Sequence, residues 1–339
     1  MGEPASSDFP AVRLHVVTGK GGTGKSTVAA ALALALAWEG RRVLLCEVEG
    51  RQGIARMFDV DPLPYEERRI ATGLPRGRGR GGAVHALHVD PESALLEYLA
   101  MYYRLGRAGR LLDRFGVVDF ATTLAPGVRD VLLTGKVFEA AKEGGRRGGG
   151  ESYDAVVLDA PPTGRIVPFL GVSDELAGLA RVGPIKHQSD LMMTLFRSER
   201  TAVHLTTVLE EMPVQETADG IAELRAAGLP VGGVVVDLVR PRDLPEEHLV
   251  AARTGALDRD AVTADLVAAG LAEEADAGLA DVLLAEGRDH AGRRALEDAQ
   301  RALVADLGRP SYELPRLAGG VDLGALYELA ALLRAQGMA

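Results

Sequence analysis

The feature that most constrains this 339-residue chain is a glycine-rich run between a buried strand and a helix. Arg13–Thr18 is an apolar segment typical of a strand, and Lys25–Glu39 has helical character up to Gly40. At the junction, Gly19–Thr27 has the sequence GKGGTGKST, which satisfies the pattern G-x-x-x-x-G-K-[ST]. Because a further apolar strand, Arg42–Val48, follows the helix, the segment predicts a β–α–β unit and a parallel sheet covered by helices.

The residue types in this loop are those that a polyphosphate requires. Glycines let the backbone adopt positive φ and bring N–H groups close to an anion, while the following helix points its N-terminal dipole at the same place. Lys25 can pair with the β- and γ-phosphates, and the Ser26 hydroxyl can ligate Mg²⁺. We therefore expect ATP·Mg²⁺ to be bound here, by Gly19, Gly21, Gly22, Thr23, Gly24, Lys25, Ser26 and Thr27.

A second lysine in the loop, Lys20, narrows this expectation. The string KGGTGKST resembles the deviant Walker A motif of the class that includes MinD, ParA, ArsA and the nitrogenase iron protein. The resemblance implies that Lys20 acts in catalysis by reaching across a dimer to the nucleotide of the partner. It also implies an ATPase that works as a homodimer or as a heterodimer with a paralogous ATPase.

Other segments, in order along residues 13–320, resemble the ArsA/guided-entry family within this class. Val43–Phe58 is similar to switch I of that family, with Glu49 where the family has its catalytic aspartate. Asp159–Arg165 resembles switch II. The resemblance implies that Glu49 orients the attacking water, that Asp159 holds Mg²⁺ directly or through water, and that Gly164 offers its N–H to the γ-phosphate.

The base of the nucleotide has its own matching segments. Val234–Asp237 resembles a strand that ends in an adenine-reading asparagine, and Pro315–Gly319 resembles the family's loop over the adenine. The resemblance therefore places around the base Asp237, Pro315, Arg316 and Leu317.

Three positions depart from the family pattern: Glu49 replaces an aspartate, Arg165 a histidine and Asp237 an asparagine. The carboxylate of a glutamate lies one methylene further out, so hydrolysis is expected to be slow or to need a partner. A carboxylate at Asp237 can accept from the adenine N6 amino group but cannot donate to N7. The strictness of ATP over GTP is therefore left open.

Composition excludes several functions. The formal net charge of −10 disfavours nucleic acid and anionic lipid as partners, and no apolar stretch reaches the ~18 residues that span a bilayer. Because Cys46 is the only cysteine, a CxxC zinc site, a paired-cysteine iron–sulfur cluster and the thiol cluster of arsenite pumps are all excluded by their usual chemistry. We expect a cytoplasmic protein with no stable membrane insertion.

The predicted organisation is a single P-loop ATPase domain over residues 1–339. It has a mostly parallel α/β sheet with helices on both faces. A helical insertion is expected over residues 51–150, between switch I and switch II, with a second helical segment of the insert at residues 183–200. Later strands are expected at Ala155–Asp159, Ala202–Thr207, Gly232–Val239 and Tyr312–Pro315.

The leading hypothesis is an ATP-driven dimeric switch that handles a hydrophobic, helical protein client. Three alternatives stay open: a MinD/ParA-type positioning ATPase, a nucleotide-binding subunit with little hydrolysis paired with a paralogue, and an ATP-dependent ligase of the dethiobiotin/cobyrinate type. Two apolar stripes at helical spacing are expected either to pack in the core or to form a client groove. The first stripe comprises Leu191, Met192, Leu195 and Phe196, and the second comprises Leu95, Leu99 and Tyr102.

Overall fold

The computed structural model describes residues 7–50, 52–73, 81–102, 126–142, 152–179, 184–241, 244–271 and 277–339. In this part of the chain, eight strands form one sheet in the order β3-β4-β2-β5-β1-β6-β7-β8. All neighbours are parallel except β3 and β4, which are antiparallel. The strands are β1 Leu14–Gly19, β2 Arg42–Glu47, β3 Arg68–Thr72, β4 Ala83–His88, β5 Ala155–Asp159, β6 Thr201–Thr207, β7 Val231–Val239 and β8 Ser311–Pro315.

Helices cover both faces of the sheet, which confirms the predicted α/β class. They are α1 Lys25–Leu36, α2 Gly53–Met57, α3 Pro91–Tyr102, α4 Pro126–Ala141, α5 Thr163–Leu179, α6 Pro184–Phe196, α7 Glu211–Ala226, α8 Glu246–Thr254, α9 Arg259–Ala268, α10 Ala277–Ala305 and α11 Leu323–Ala335. One core layer lies between the sheet and α4 to α7, and the other lies between the sheet and α1 with α11. Among the described helices, none is long and apolar enough to cross a membrane.

The central strands form because both of their faces are covered. β1, β5 and β6 are buried along their whole length and are mostly apolar or small, as parallel strands between helical layers are, apart from His15, His204 and the terminal Asp159. Helix α1 is similarly enclosed, and every residue from Val28 to Leu36 is buried. Its alanines let it approach both the sheet and α11 closely, so the phosphate loop at its start is held by the core.

The stretch between switch I and switch II differs from the predicted helical insertion over residues 51–150. Two strands fall within it: β4, which matches a short strand that the sequence predicts at Val84–Val89, and β3, which the sequence does not predict; β4 pairs with β2 in the main sheet. Its described helices include α3 and α4, and residues 109–123, which the sequence also predicts to be helical, lie outside the described part. Strand β3 escaped prediction because an edge strand with alternating exposure carries a weak apolar signal.

Most side chains of the two apolar stripes that are described lie in the core. Met192, Leu195 and Phe196 on α6 pack into the core layer that α4 to α7 cover, and Leu95 packs against Leu132. Leu191 is 39% exposed. The side chains of Leu99 and Tyr102 lie outside the described part. In this structure core packing therefore explains the buried members, and they form no open client groove.

Two buried histidines join neighbouring strands of the core. His15 Nδ1 on β1 lies 3.1 Å from His204 Nε2 on β6, and the Gly233 N–H donates to His204 Nδ1. Since Nδ1 accepts, Nε2 of His204 carries the proton and donates to His15. Burial is the main cause that lowers the pKa of His15 to about 3 and holds the pKa of His204 well below its usual value. Both rings are therefore neutral in the folded protein.

We expect acid to destabilise the fold through this pair. In the unfolded chain each histidine titrates near its ordinary pKa of about 6.5, whereas the folded chain keeps both neutral to far lower pH. The unfolded state then binds more protons, so the free energy of unfolding should fall by about 1.4 kcal/mol per pH unit for each histidine below about pH 6. Urea unfolding across this range measures the slope.

A matched variant isolates the contribution of one ring. His15→Gln keeps an oxygen that can accept from His204 Nε2 but cannot titrate. In this variant, the slope of the unfolding free energy against pH should be smaller by the contribution of one histidine, about 1.4 kcal/mol per pH unit. A slope equal to that of the parent protein would show that the pair does not control acid stability.

Candidate nucleotide-binding site

The phosphate loop is fixed by close packing against the end of β6. A side chain at Gly19 would collide with the Thr206 hydroxyl and carbonyl oxygens, so only glycine fits. The Thr23 hydroxyl donates to the Lys20 carbonyl at 2.8 Å and lies 2.8 Å from the Thr206 hydroxyl. Gly22 has φ 90°, in the left-handed region that favours glycine. The loop conformation therefore follows from its own glycines and two threonines.

The outer side of the loop is open, and the start of α1 is uncapped. A Cβ added at Gly21 or Gly22 would meet no atom within 4 Å, so a phosphate oxygen can approach the backbone. Gly24 precedes the helix with φ 79°, and no side chain caps the first-turn N–H groups. Lys25 is half-buried at the first helical position. Uncapped N–H groups and the positive end of the helix dipole thus lie beside an open space, and Lys25 stands at the first position of this helix.

The predicted metal ligands are brought together at the carboxyl end of β5. The Ser26 hydroxyl donates to Asp159 Oδ2 at 2.6 Å, and Asp159 is buried. Burial raises the pKa of Asp159 to about 6; the Ser26 hydrogen bond opposes this rise, and the carboxylates of Glu47 and Glu49 add to it. Within the described residues no cluster of three or more His, Cys, Asp or Glu could hold a metal.

This donor set fits Mg²⁺ rather than a metal held by protein alone. Mg²⁺ takes oxygen ligands, keeps several waters and shares its coordination with substrate phosphates, so one hydroxyl and one carboxylate suffice. The negative charge that accumulates around Asp159 is what a divalent cation would offset.

A carboxylate that the sequence analysis missed lies beside this site. Glu47 ends β2 and is the register partner of Asp159 on β5 and of His88 on β4. Its Oε1 accepts from the Gly53 N–H at 2.8 Å. The signal was present in the sequence, because an acidic residue ends a buried strand here just as Asp159 does.

Glu49 follows in the turn after β2 and is partly exposed. It lines a cleft of about 120 Å³ between switch I and helices α4 and α5, together with Arg129, Asp130 and Arg165. Arg165 Nη2 lies 3.5 Å from both carboxylate oxygens of Asp130. Burial raises the pKa of Asp130, and Arg165 opposes that rise. Glu49 is close enough to Asp159 to contribute to the rise of its pKa, but no hydrogen bond joins the two among the described residues.

The Lys20 side chain forms an ion pair within its own chain. Its Nζ lies 2.6 Å from Glu216 Oε1 on α7, and the two side chains are 35% and 37% exposed. Gly164 lies in the first turn of α5, exposed, where its N–H has no partner within the helix.

The residues expected around the base meet at the carboxyl ends of β7 and β8. Asp237 is buried against the phosphate loop, where a Cβ at Gly24 would collide with its Oδ2. Burial raises the pKa of Asp237 to about 6. The Arg316 N–H donates to the Val239 carbonyl at 2.8 Å, which brings the segment 315–317 alongside.

Comparison with known proteins agrees with this geometry. The family model described as anion-transporting ATPase matches residues 12–197. The chain belongs to this family. It is 51% identical to ATPase BagA of Mycobacterium tuberculosis over 332 residues, covering 98% of this chain and 95% of that one. It is 25% identical to the arsenical pump-driving ATPase of Acidiphilium multivorum over 277 residues, covering 76% of this chain and 44% of that one.

Membership confirms the resemblance seen in the sequence and the assignment as a nucleotide-binding ATPase. The roles of individual residues in this chain stay predictions.

We predict that Lys25→Ala weakens ATP binding by about 100-fold or more, because a charge-assisted hydrogen bond to the phosphates is lost. Isothermal titration with ATP·Mg²⁺ measures the change. Lys142→Ala removes an exposed lysine at the end of α4 and is the matched control. Unchanged affinity in a folded Lys25→Ala protein would refute the site.

Proposed function

We propose that this chain is a Mg²⁺-dependent ATPase that works as a nucleotide-driven dimeric switch. The observation that supports the proposal is the contact of Lys20, whose ammonium group donates to the Glu216 carboxylate on α7 of its own chain. In the proposed dimer, the second subunit is another copy of this chain or a paralogous ATPase.

The contact between Lys20 and Glu216 suits an exchangeable partner. A pair that is about one third exposed contributes roughly 0–1 kcal/mol, because water screens the charges. A nucleotide triphosphate carries several charges and would attract the ammonium more strongly once a second subunit excludes water. Lys20 would then leave Glu216 and stabilise the charge on the partner's phosphates during transfer to water.

The remaining site residues have separate proposed roles in hydrolysis. The loop N–H groups and Lys25 bind the phosphates, Ser26 and Asp159 hold Mg²⁺, and Glu49 orients the attacking water. The Gly164 N–H binds the γ-phosphate, so the start of α5 responds to its presence. Since Arg165 also contacts Asp130 on α4, movement of α5 is passed to the helices between the two switches.

For the base, we propose that Asp237 and residues Pro315, Arg316 and Leu317 form the pocket. An ionised Asp237 carboxylate accepts from the N6 amino group of adenine, whereas guanine presents its O6 acceptor at the same position. This favours ATP over GTP at neutral pH, above the pKa of about 6 for Asp237.

A hydrophobic client remains a hypothesis that rests on family resemblance. The described members of the α6 stripe are mostly buried, so we assign it no docking site there. A nucleotide-binding subunit with little hydrolysis is the second candidate. It is supported by the longer acidic side chain at Glu49, which makes no described hydrogen bond to the metal edge.

We predict that Lys20→Ala keeps ATP binding but loses turnover by roughly 10³-fold, by analogy with arginine fingers. Steady-state ATPase rates and the oligomeric state should be measured together in the apo, ADP and ATP-analogue states. Glu216→Gln, which frees the lysine without removing it, should keep turnover. A monomer that hydrolyses ATP at the full rate would eliminate the cross-dimer role.

We also predict that Glu49→Gln lowers kcat by about 10²-fold while ATP affinity stays the same, because an amide cannot accept a proton from water. Glu66→Gln changes an exposed carboxylate in the same region and is the control. If Glu49→Gln retains turnover, another group orients the water. If the parent chain binds ATP without hydrolysis, the subunit with little hydrolysis becomes the better description.

A further inference from the structure

We propose that Glu47 is a positioning residue for hydrolysis, which closes the switch I turn and thereby holds Glu49 beside the metal-binding edge. The inference rests on the proposed hydrolytic function and adds to it a residue outside the phosphate loop that the sequence motifs did not single out. It follows from strand register, from burial and from the hydrogen bonds of the turn.

Three neighbouring strands place ionisable side chains in one row. β4, β2 and β5 are parallel, and His88, Glu47 and Asp159 are register partners at their carboxyl ends. Register partners in parallel strands point to the same face of a sheet. The Ser26 hydroxyl, bonded to Asp159, extends the row to the start of α1. Glu47 is therefore the central member of a line that ends at the metal edge.

The carboxylate of Glu47 ties the two ends of the switch I turn together. Its Oε1 accepts from the N–H of Gly53, the first residue of α2, at 2.8 Å. The turn that carries Glu49 lies between Glu47 and Gly53, so this bond closes it as a loop. The Val89 N–H donates to the Glu47 carbonyl at 2.9 Å, which fixes the backbone from the side of β4.

A second clamp holds the far end of the same turn. The Gln52 side-chain amide accepts from the Leu63 N–H at 2.8 Å and donates to the Leu63 carbonyl at 3.1 Å. Gln52 itself has φ 53°, a left-handed conformation that costs a residue with a side chain about 1 kcal/mol or more. The surrounding bonds must therefore hold it in place, which is typical of a turn whose geometry matters.

Glu47 is also too buried to be an ordinary surface acid. Its side chain is 3% exposed, and Oε2 has no hydrogen-bond partner among the described residues. His88 Nδ1 likewise lacks one and lies 3.8 Å from Oε2, just beyond a hydrogen bond. A small movement of either side chain completes this contact, which would hold Glu47 from the side opposite Asp159.

Two substitutions separate the reach of Glu47 from its charge. Glu47→Gln keeps the length of the side chain and an oxygen for the Gly53 N–H but removes the charge, whereas Glu47→Asp keeps the charge and shortens the reach. If Glu47 acts by position, Glu47→Asp should lower kcat by about 10²-fold with ATP affinity unchanged, as small misplacements of catalytic groups do. Glu47→Gln should keep kcat within about tenfold of the parent.

The outcomes that overturn the inference are distinct. Equal kcat in all three proteins would show that the turn does not need this bond. A Glu47→Gln protein that loses kcat and needs more Mg²⁺, while Glu47→Asp stays active, would assign Glu47 to the cation by charge instead.

Hydrogen exchange provides a readout that does not depend on hydrolysis. In the nucleotide-free protein, Glu47→Asp should speed exchange at the Gly53 amide while β2 and β5 stay protected, and Glu47→Gln should not. If the parent chain proves inactive, the proposed function fails and so does the catalytic role of Glu47. If the chain is active but Gly53 exchanges equally in all three proteins, only the present inference fails.

Discussion

The packing of Thr206 against Gly19 is the contact on which the rest of the site depends. A Cβ at Gly19 would occupy the space of the Thr206 oxygens, and the Thr206 hydroxyl also donates to the Thr18 carbonyl at 3.1 Å. The phosphate loop is therefore attached to the central strand beside it before any ligand binds. Because α1 continues directly from this loop into the core, its N-terminus is held at a fixed position at the carboxyl edge of the sheet.

The sequence predicted the parts of the molecule where burial is uniform. The strand Ala155–Asp159 has the predicted bounds, since a parallel strand covered on both faces is mostly apolar, and helix α1 begins at Lys25 as expected from the glycine loop before it. The apolar pattern predicts a helix only from Ser173, but α5 begins at Thr163, because Pro168 and nearby glycines in its first turns weaken the helical pattern. Edge strand β3 was missed because only one of its residues is fully buried. The apolar sequence pattern reflects how far a strand is buried, so it predicts central strands well and edge strands poorly.

Glu47 illustrates why site residues are harder to predict than strands. The motif comparison directed attention to Glu49, whereas the importance of Glu47 depends on its register with His88 and Asp159, which only pairing of β2 with both neighbours reveals. Buried carboxylates then accumulate at one edge of the sheet, where Glu47 and Glu49 both oppose ionisation of Asp159. Such a concentration of like charge is unfavourable without a cation, and the Ser26 hydroxyl offsets part of it by donating a hydrogen bond to Asp159.

The contacts that connect this rigid centre to its surroundings have a different character. Lys20 with Glu216 and Arg165 with Asp130 each include at least one side chain that is more than one third exposed, and the second pair is 3.5 Å apart. Such pairs contribute roughly 0–1 kcal/mol and can exchange partners, unlike the buried threonines and glycines of the loop. One links the phosphate loop to α7 and the other links the start of α5 to α4. A rigid phosphate loop joined to its helices by weak, exchangeable pairs fits the proposed switch, in which a bound nucleotide would change these contacts without disturbing the core.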